Sequence, residues 1–462
     1  MPKISRRTFV NTSMQGAAAL AAGTAAMQTS RRVLARSPNE KVVLGLIGSG
    51  GRGRHVAKGM AKLDGVEFKV VCDVEEARGA HGVKELEEIQ GSRPKVVLDM
   101  REIFDDQDVD GVVIGTPEHW HALATIRACQ ADQDVYVEKN ISATIWEGRK
   151  MIEAARKYKK IVQAGFQCRS APYVHAARDY VASGELGEVL FVKVYGMLPF
   201  TYGGYPQNRP ADSDPPEGLD WDRWLGPAAE RPYNQHVHRQ WYGYWDFSGG
   251  NASDAIHTLD VARLVLGDPP HPKSVHSVGG RWGHDDGGQM PDVEVVTYEF
   301  DRMVMTFENT GFTPYMFKTP PDIRFGDKFP YWPQNSSRIE LYGTKRMMYL
   351  GRHGGGWQVL EGGSKELDGG GGKQVASEYG IFPDEWHFAD FIDAVRTRRA
   401  PHGDVGTCHY SASLEHLANL AYRLGGQKLI FDGESETFVD NEEANRRLKP
   451  TYRDGYRVPD AV

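Results

Sequence analysis

Cysteine is scarce. The 462 residues hold four, Cys72, Cys129, Cys168 and Cys408, all in apolar segments and none in C-x-x-C spacing. That pattern excludes a disulfide-stapled miniprotein and predicts buried free thiols, with a periplasmic disulfide as the alternative. Positive charge is not in excess either: 55 Lys and Arg face 62 Asp and Glu, a net charge of −7. Nucleic-acid binders carry a basic face or stripe, so no nucleic-acid partner is expected. No apolar run reaches the ~20 residues that cross a bilayer, so no integral membrane segment is expected. Glycine, by contrast, is abundant at 52 residues, and much of the excess sits in turns that carry chemistry. With 40% hydrophobic and 10% aromatic content, the length suits two large globular domains.

Residues 1–36 contain six basic side chains and no acid. Ser5-Arg6-Arg7-Thr8-Phe9-Val10 precedes an Ala-rich run from Gly16 to Met27, the layout of a twin-arginine export signal. A signal peptide over 1–36 and a periplasmic or exported mature protein are therefore expected, with cleavage after Ala26 or Ala35. Twin-arginine export carries folded proteins, which suits an enzyme that acquires a cofactor before leaving the cytoplasm.

Lys41 to Ile47 reads as a strand and Arg54 to Leu63 as a helix, with Gly48-Ser49-Gly50-Gly51-Arg52-Gly53 between them. In G-x-G-x-x-G the first glycine turns, the second lets backbone approach a pyrophosphate, and the third lets helix pack on strand. Gly48, Gly50 and Gly53 fill these places, with Arg52 beside the phosphates. The next strand, Phe68 to Cys72, ends in Asp73, 20 residues after Gly53. A carboxylate there binds ribose hydroxyls and repels a 2′-phosphate, which favours NAD over NADP. A further strand ends at Ile114 and runs into Gly115-Thr116-Pro117-Glu118-His119-Trp120-His121, and another, Val135 to Val137, runs into Glu138-Lys139-Asn140.

These three motifs in this order resemble the Gfo/Idh/MocA family of sugar and cyclitol oxidoreductases. The resemblance continues through Gln163 to Arg169 and covers nearly the whole mature chain. It implies an α/β fold: an N-terminal Rossmann doubly wound parallel sheet over 37–165, and a C-terminal α+β domain over 166–440 with a large, open-faced, mainly antiparallel sheet. A C-terminal helix and tail fill 441–462. It also implies cofactor contacts from Thr116, Pro117, His119, His121, Glu138 and Gln167, and an acid/base role for Lys139, which lies near the nicotinamide in that family. One departure stands out: the family has proline where this chain has Asn140. Proline restricts itself and its predecessor, so its loss bears on how Lys139 is aimed.

The second half alternates as sheet. Val293–Phe300 with Val304–Phe307, and Arg338–Tyr342 with Arg346–Leu350, read as antiparallel pairs around tight turns. The glycine-rich 351–372 reads as a flexible loop. Residues 199–250 are rich in Tyr, Trp, Pro and His and resemble an insertion in exported members; aromatic faces suit a pyranose. Tyr202, Trp241, Tyr244 and Trp245 are thus candidate substrate contacts, and Arg169, at the end of the Gln163–Arg169 stretch, is a further one. His236-x-His238 lacks a third ligand at suitable spacing, so no metal is expected. Gly249 to Leu266 resembles the family's catalytic helix, with Asp254 and His257 as catalytic candidates; their spacing of three, instead of the family's four, still shares a helix face.

Together these point to an NAD-dependent oxidoreductase that moves hydride to or from a carbohydrate hydroxyl carbon, with cofactor held through the cycle and a homodimer or homotetramer implied by resemblance. Two alternatives stay open: an NAD-dependent glycoside hydrolase working by transient C3 oxidation and elimination, and a non-catalytic sugar-binding protein that keeps the fold.

Overall fold

The computed structural model describes residues 41–197, 210–249, 251–284, 287–310, 315–362 and 372–462, with the side chains of 251–254 left out. The export signal lies outside the described residues. The eight described helices of ten or more residues are α1 (Gly51–Ala61), α2 (Glu76–Gln90), α3 (His121–Gln130), α4 (Ile145–Lys157), α5 (Pro172–Ala182), α6 (Asn251–Val265), α7 (Asp384–Thr397) and α8 (Val405–Arg423). Among the described residues, no helix is long and apolar enough to cross a membrane.

The first sheet is parallel, in the order β3 (Lys95–Val97), β2 (Val66–Cys72), β1 (Val42–Ile47), β4 (Gly111–Ile114), β5 (Asp134–Val137), β6 (Val162–Ala164). Its central strands are buried on both faces, as continuous apolar runs such as Gly111-Val-Val-Ile114 demand. The chain switches direction across the sheet between β1 and β4, and that switch opens a crevice at their carboxyl ends. Leu44, Leu46, Val56, Met60 and Phe68 pack on one face together with Phe388 and Phe391 of α7. A Cβ on Gly59 would run into the Phe388 ring, so glycine is what lets α7 lie against α1. A helix 330 residues downstream by sequence thus completes the core of the first domain, although its position in the chain placed it with the second.

The second sheet has ten strands in the order β14 (Lys373–Glu378), β13 (Trp357–Glu361), β12 (Met347–Gly351), β11 (Arg338–Gly343), β7 (Val189–Tyr195), β10 (Val304–Thr310), β9 (Val293–Glu299), β8 (Ser274–Gly280), β15 (Leu429–Asp432), β16 (Thr437–Phe438). β7 and β10 run parallel; the β9–β10 and β11–β12 hairpins are antiparallel, as expected. Met305, Phe307, Val192 and Leu341 alternate onto the face covered by α6 and α8. The glycine-rich segment is only partly a loop: Trp357–Glu361 forms β13, after Gly354, Gly355 and Gly356 turn the chain at φ of 76°, 78° and 69°. Buried Trp357 and Val359 are the physical reason for that strand. All four cysteines are buried and free.

Glu294 of β9 points into the core beneath α8, where it accepts the Ser277 hydroxyl at 2.7 Å. Burial pushes its pKa up to about 7. The folded state therefore holds a proton that the unfolded chain releases near pH 4–5, and stability falls as pH climbs toward 7. Glu294→Gln is expected to gain roughly 1–3 kcal/mol over the parent at pH 8 and little at pH 4. Calorimetric melting at the two pH values checks this; an equal difference at both would refute it.

Candidate active site

β1 ends in a turn that only glycine fits. Gly48 sits at φ 85°, and a Cβ there would meet Gly115 C and Thr116 N at 2.7 Å. A Cβ on Gly53 would overlap the Gly48 carbonyl oxygen. Gly50 differs: a Cβ there would meet nothing nearer than the Arg78 guanidinium at 4.0 Å, so its backbone faces open space at the start of α1. Asp73 lies opposite, its two oxygens accepting the Ser49 N–H at 2.7 Å and the Glu75 N–H at 2.9 Å. Burial raises its pKa, and those N–H donors oppose the rise. Gly48, Gly50, Arg52, Asp73, Thr116 and Pro117 line one cleft of about 460 Å³. Among the described residues, the buried Thr116 hydroxyl has no hydrogen-bond partner. An open glycine edge at a helix N-terminus, a fixed carboxylate and an unused hydroxyl fit a dinucleotide.

The cleft is roofed by parts of the chain that the motifs do not reveal. Trp224, Trp241 and Tyr242 of the aromatic insertion line it, and so do Gly455 and Tyr456 of the tail. Arg453 pins that tail by donating to the carbonyls of Gly226 at 2.9 Å and Asp222 at 2.7 Å, while Tyr456 meets the Trp120 ring edge-on at 5.5 Å. Replacing Arg453 and Tyr456 by alanine together is expected to speed release of bound NADH about tenfold, equivalent to roughly 1.4 kcal/mol of lost closure. Stopped-flow displacement followed by NADH fluorescence measures it; an unchanged rate would show that the tail does not close the site.

Lys139 follows β5, half-buried. Its neighbour Glu138 faces inward and is consumed by structure, accepting from Arg52 Nε at 2.9 Å, Tyr136 OH at 3.3 Å and Gln167 Nε2 at 3.3 Å. Arg52 lines the cleft, whereas Gln167 and Glu138 buttress it from behind. His121 places its two ring nitrogens against the carbonyls of Asn140 at 2.5 Å and Thr116 at 2.9 Å, so it braces the loops. His119 does not face the cofactor cleft: it contacts the Trp224 carbonyl and the rings of Trp224 and Phe247, and burial pushes its pKa down to about 3. It anchors the insertion.

His257 of α6 is buried against the Phe166 ring. Burial, then the charges of Arg352, Lys139 and Arg52, drive its pKa well below the ordinary range, so the ring is neutral and lies within the field of Lys139. The Asp254 side chain lies outside the described residues. Two acids that motif reasoning passed over enter here: Glu118 accepts the Gly249 N–H at 2.9 Å, and Glu415 of α8 accepts the Asn140 side-chain amide at 2.7 Å. Glu118 sat inside a recognised motif; nothing in the chain flags Glu415.

The substrate candidates scatter. Arg169 is 2% exposed and clamped by Asp260 and Asp268, so its guanidinium is not offered to a ligand. Tyr244 is buried in the insertion's own core, with Arg231 over its ring. Trp241 faces the nucleotide cleft, and Trp245 lines a separate concavity with Tyr422 and Arg423. Tyr202 lies outside the described residues. His236 and His238 pack within the insertion's aromatic core. Among the described residues, His271, His409 and Glu436 do converge, but Arg149 already pairs with that carboxylate.

Comparison with known proteins settles the family. The model of the oxidoreductase family's NAD-binding Rossmann fold matches residues 42–166, and that of its C-terminal alpha/beta domain matches 171–309 and 374–458. The chain belongs to the Gfo/Idh/MocA oxidoreductases. Among curated Gfo/Idh/MocA-like relatives, 1,5-anhydro-D-fructose reductase of Ensifer adhaerens is 27% identical over 46% of this chain and 56% of that protein. Levoglucosan dehydrogenase of Pseudarthrobacter phenanthrenivorans is 28% identical over 36% of each. The chain thus spans between a third and three quarters of the first curated relatives it matches. A solved levoglucosan dehydrogenase in complex with NADH and levoglucosan shares the fold, with a TM-score of 0.61 at 18% identity, covering 87% of this chain and 100% of that one. The WlbA dehydrogenase of Chromobacterium violaceum, solved with NADH and UDP-GlcNAcA, gives 0.62 at 17% identity over 87% and 99%.

Proposed function

We propose that this Gfo/Idh/MocA protein oxidises a carbinol carbon of a sugar, anhydrosugar or glycoside, using NAD in preference to NADP and retaining it between turnovers. The observation that carries this reading is the cleft that Gly48, Gly50 and Asp73 shape, with Lys139 following β5 and buried His257 within the field of its charge. Relatives that act on anhydrosugars and cyclitols support the substrate class. Bound NAD supplies the hydride acceptor. The Lys139 amine takes the hydroxyl proton as the carbinol becomes a carbonyl, and neutral His257 holds the oxygen. Asp73 selects against a 2′-phosphate. Arg6-Arg7 and the Ala-rich run support export, and a tail-roofed cleft suits a resident cofactor where free NAD is scarce. The outer face of the ten-stranded sheet, with Val278, Val295, Val304 and Tyr342 partly exposed, is the proposed contact of a homodimer or homotetramer.

A second reading is hydrolysis by transient C3 oxidation, favoured by similarity to a glycosyl hydrolase family 109 protein of Shewanella pealeana, 25% identical over 41% of this chain. The test is absorbance near 340 nm of undialysed protein as levoglucosan, inositols, monosaccharides and nitrophenyl glycosides are added in turn. A stoichiometric rise with one sugar supports dehydrogenation; nitrophenol release without net NADH identifies the hydrolase; neither, with NAD supplied, overturns both.

A further inference from the structure

Asn140, at the place where the family has proline, is fully buried and held on both sides. Its carbonyl meets His121 Nδ1 at 2.5 Å, and its side-chain amide donates to Glu415 at 2.7 Å. Glu415 is fully buried on α8, and among the described residues its other oxygen has no hydrogen-bond partner. That oxygen lies against Gly249, where a Cβ would overlap it. One turn further along α8, Asn419 donates to the Gly249 carbonyl at 3.1 Å. Positions four apart share a helix face, so one face of α8 grips the residue after Lys139 and the entry to the helix that carries His257. These two segments are over a hundred residues apart in sequence, and no described strand pairing joins them.

A hydrogen bond from a buried amide to a carboxyl group has no water to compete with, and leaving either partner unmatched is costly. Glycine at 249 leaves the carboxyl room, and Asn140 supplies the donor that proline lacks. We propose that Glu415 is a positioning residue for Lys139, acting through Asn140 and seated against Gly249, so that α8 sets the distance between Lys139 and His257. This rests on Lys139 being the acid/base group.

The test is a double-mutant cycle on the NAD-loaded protein with the sugar that the 340 nm titration identifies. Glu415→Ala and Asn140→Ala are each expected to lower kcat about tenfold with KM within twofold, and the double variant to be no slower than either alone. Glu415→Gln, whose amide oxygen still accepts from Asn140, is expected to restore most of the rate. Hydrogen exchange supplies a readout independent of substrate: protection of the 138–141 backbone falls in Glu415→Ala and is kept in Glu415→Gln. Additive effects, no rescue by glutamine, or unchanged protection at 138–141 would each overturn the proposal. Should Glu415→Ala fail to fold, Glu415→Gln against Asn140→Ala still decides it. Failure of the underlying reading looks different, since Lys139→Met would then turn over normally.

Discussion

Lys139→Met is expected to lower kcat by about 10²–10⁴ while leaving NAD affinity nearly unchanged. That loss corresponds to roughly 3–5 kcal/mol of transition-state stabilisation. It falls on kcat because Lys139 is absent from the cleft lining formed by Gly48, Gly50 and Asp73. His257 cannot take over as proton acceptor: burial and the charges of Arg352, Lys139 and Arg52 hold it neutral and poorly basic. His257→Asn, which keeps a donor at that position, is therefore expected to cost less than Lys139→Met. Single-turnover absorbance at 340 nm, with NADH affinity followed by fluorescence, separates the two effects. Equal loss in NAD affinity and in rate would place Lys139 in the cofactor cradle instead.

The Rossmann half was legible because each of its signals is local. Gly48, Gly50, Gly53 and Asp73 lie within 26 residues, and each answers to a backbone constraint that spacing exposes. The hairpins of the second sheet were legible for the same reason, since alternation and a tight turn are read within one short window. α7 was a different matter. Its apolar stripe declares a buried face, but Phe388 against Gly59 is a contact over more than 300 residues, and periodicity carries no address. β13 was hidden by its flanks: glycines that read as looseness are a tight left-handed turn feeding Trp357 into the core.

At the site, residues inside motifs were found, yet their individual roles were not separable by position alone. Thr116 and Pro117 line the cleft, while His119, one turn further, anchors aromatic rings. Aromatic composition marked 199–250 as special without saying which ring faces ligand: Trp241 roofs the cleft, whereas Tyr244 is part of the insertion's own core. Glu415 and Tyr456 had no signal, because a lone acid on an amphipathic helix and a tyrosine in a polar tail resemble dozens of residues with no such role.

Arg169 shows the same limit with the largest consequence for stability. Arg169 is a candidate sugar contact by sequence; the structure gives it instead to Asp260 at 2.6 Å and Asp268 at 2.8 Å, with Ser411 donating to Asp260 at 2.6 Å. Removing one member of such a buried set leaves uncompensated charge, and the cost is typically about 3–5 kcal/mol. Arg169→Met is thus expected to lower the unfolding free energy by that amount, with KM for the sugar altered less than twofold in the folded fraction. Adding Asp260→Asn to it removes the stranded carboxylate at the fully buried end, and part of the loss is expected to return. Guanidinium unfolding of the single and double variants reads the stability, and initial rates read KM. A raised KM with an unshifted unfolding midpoint would return Arg169 to the substrate.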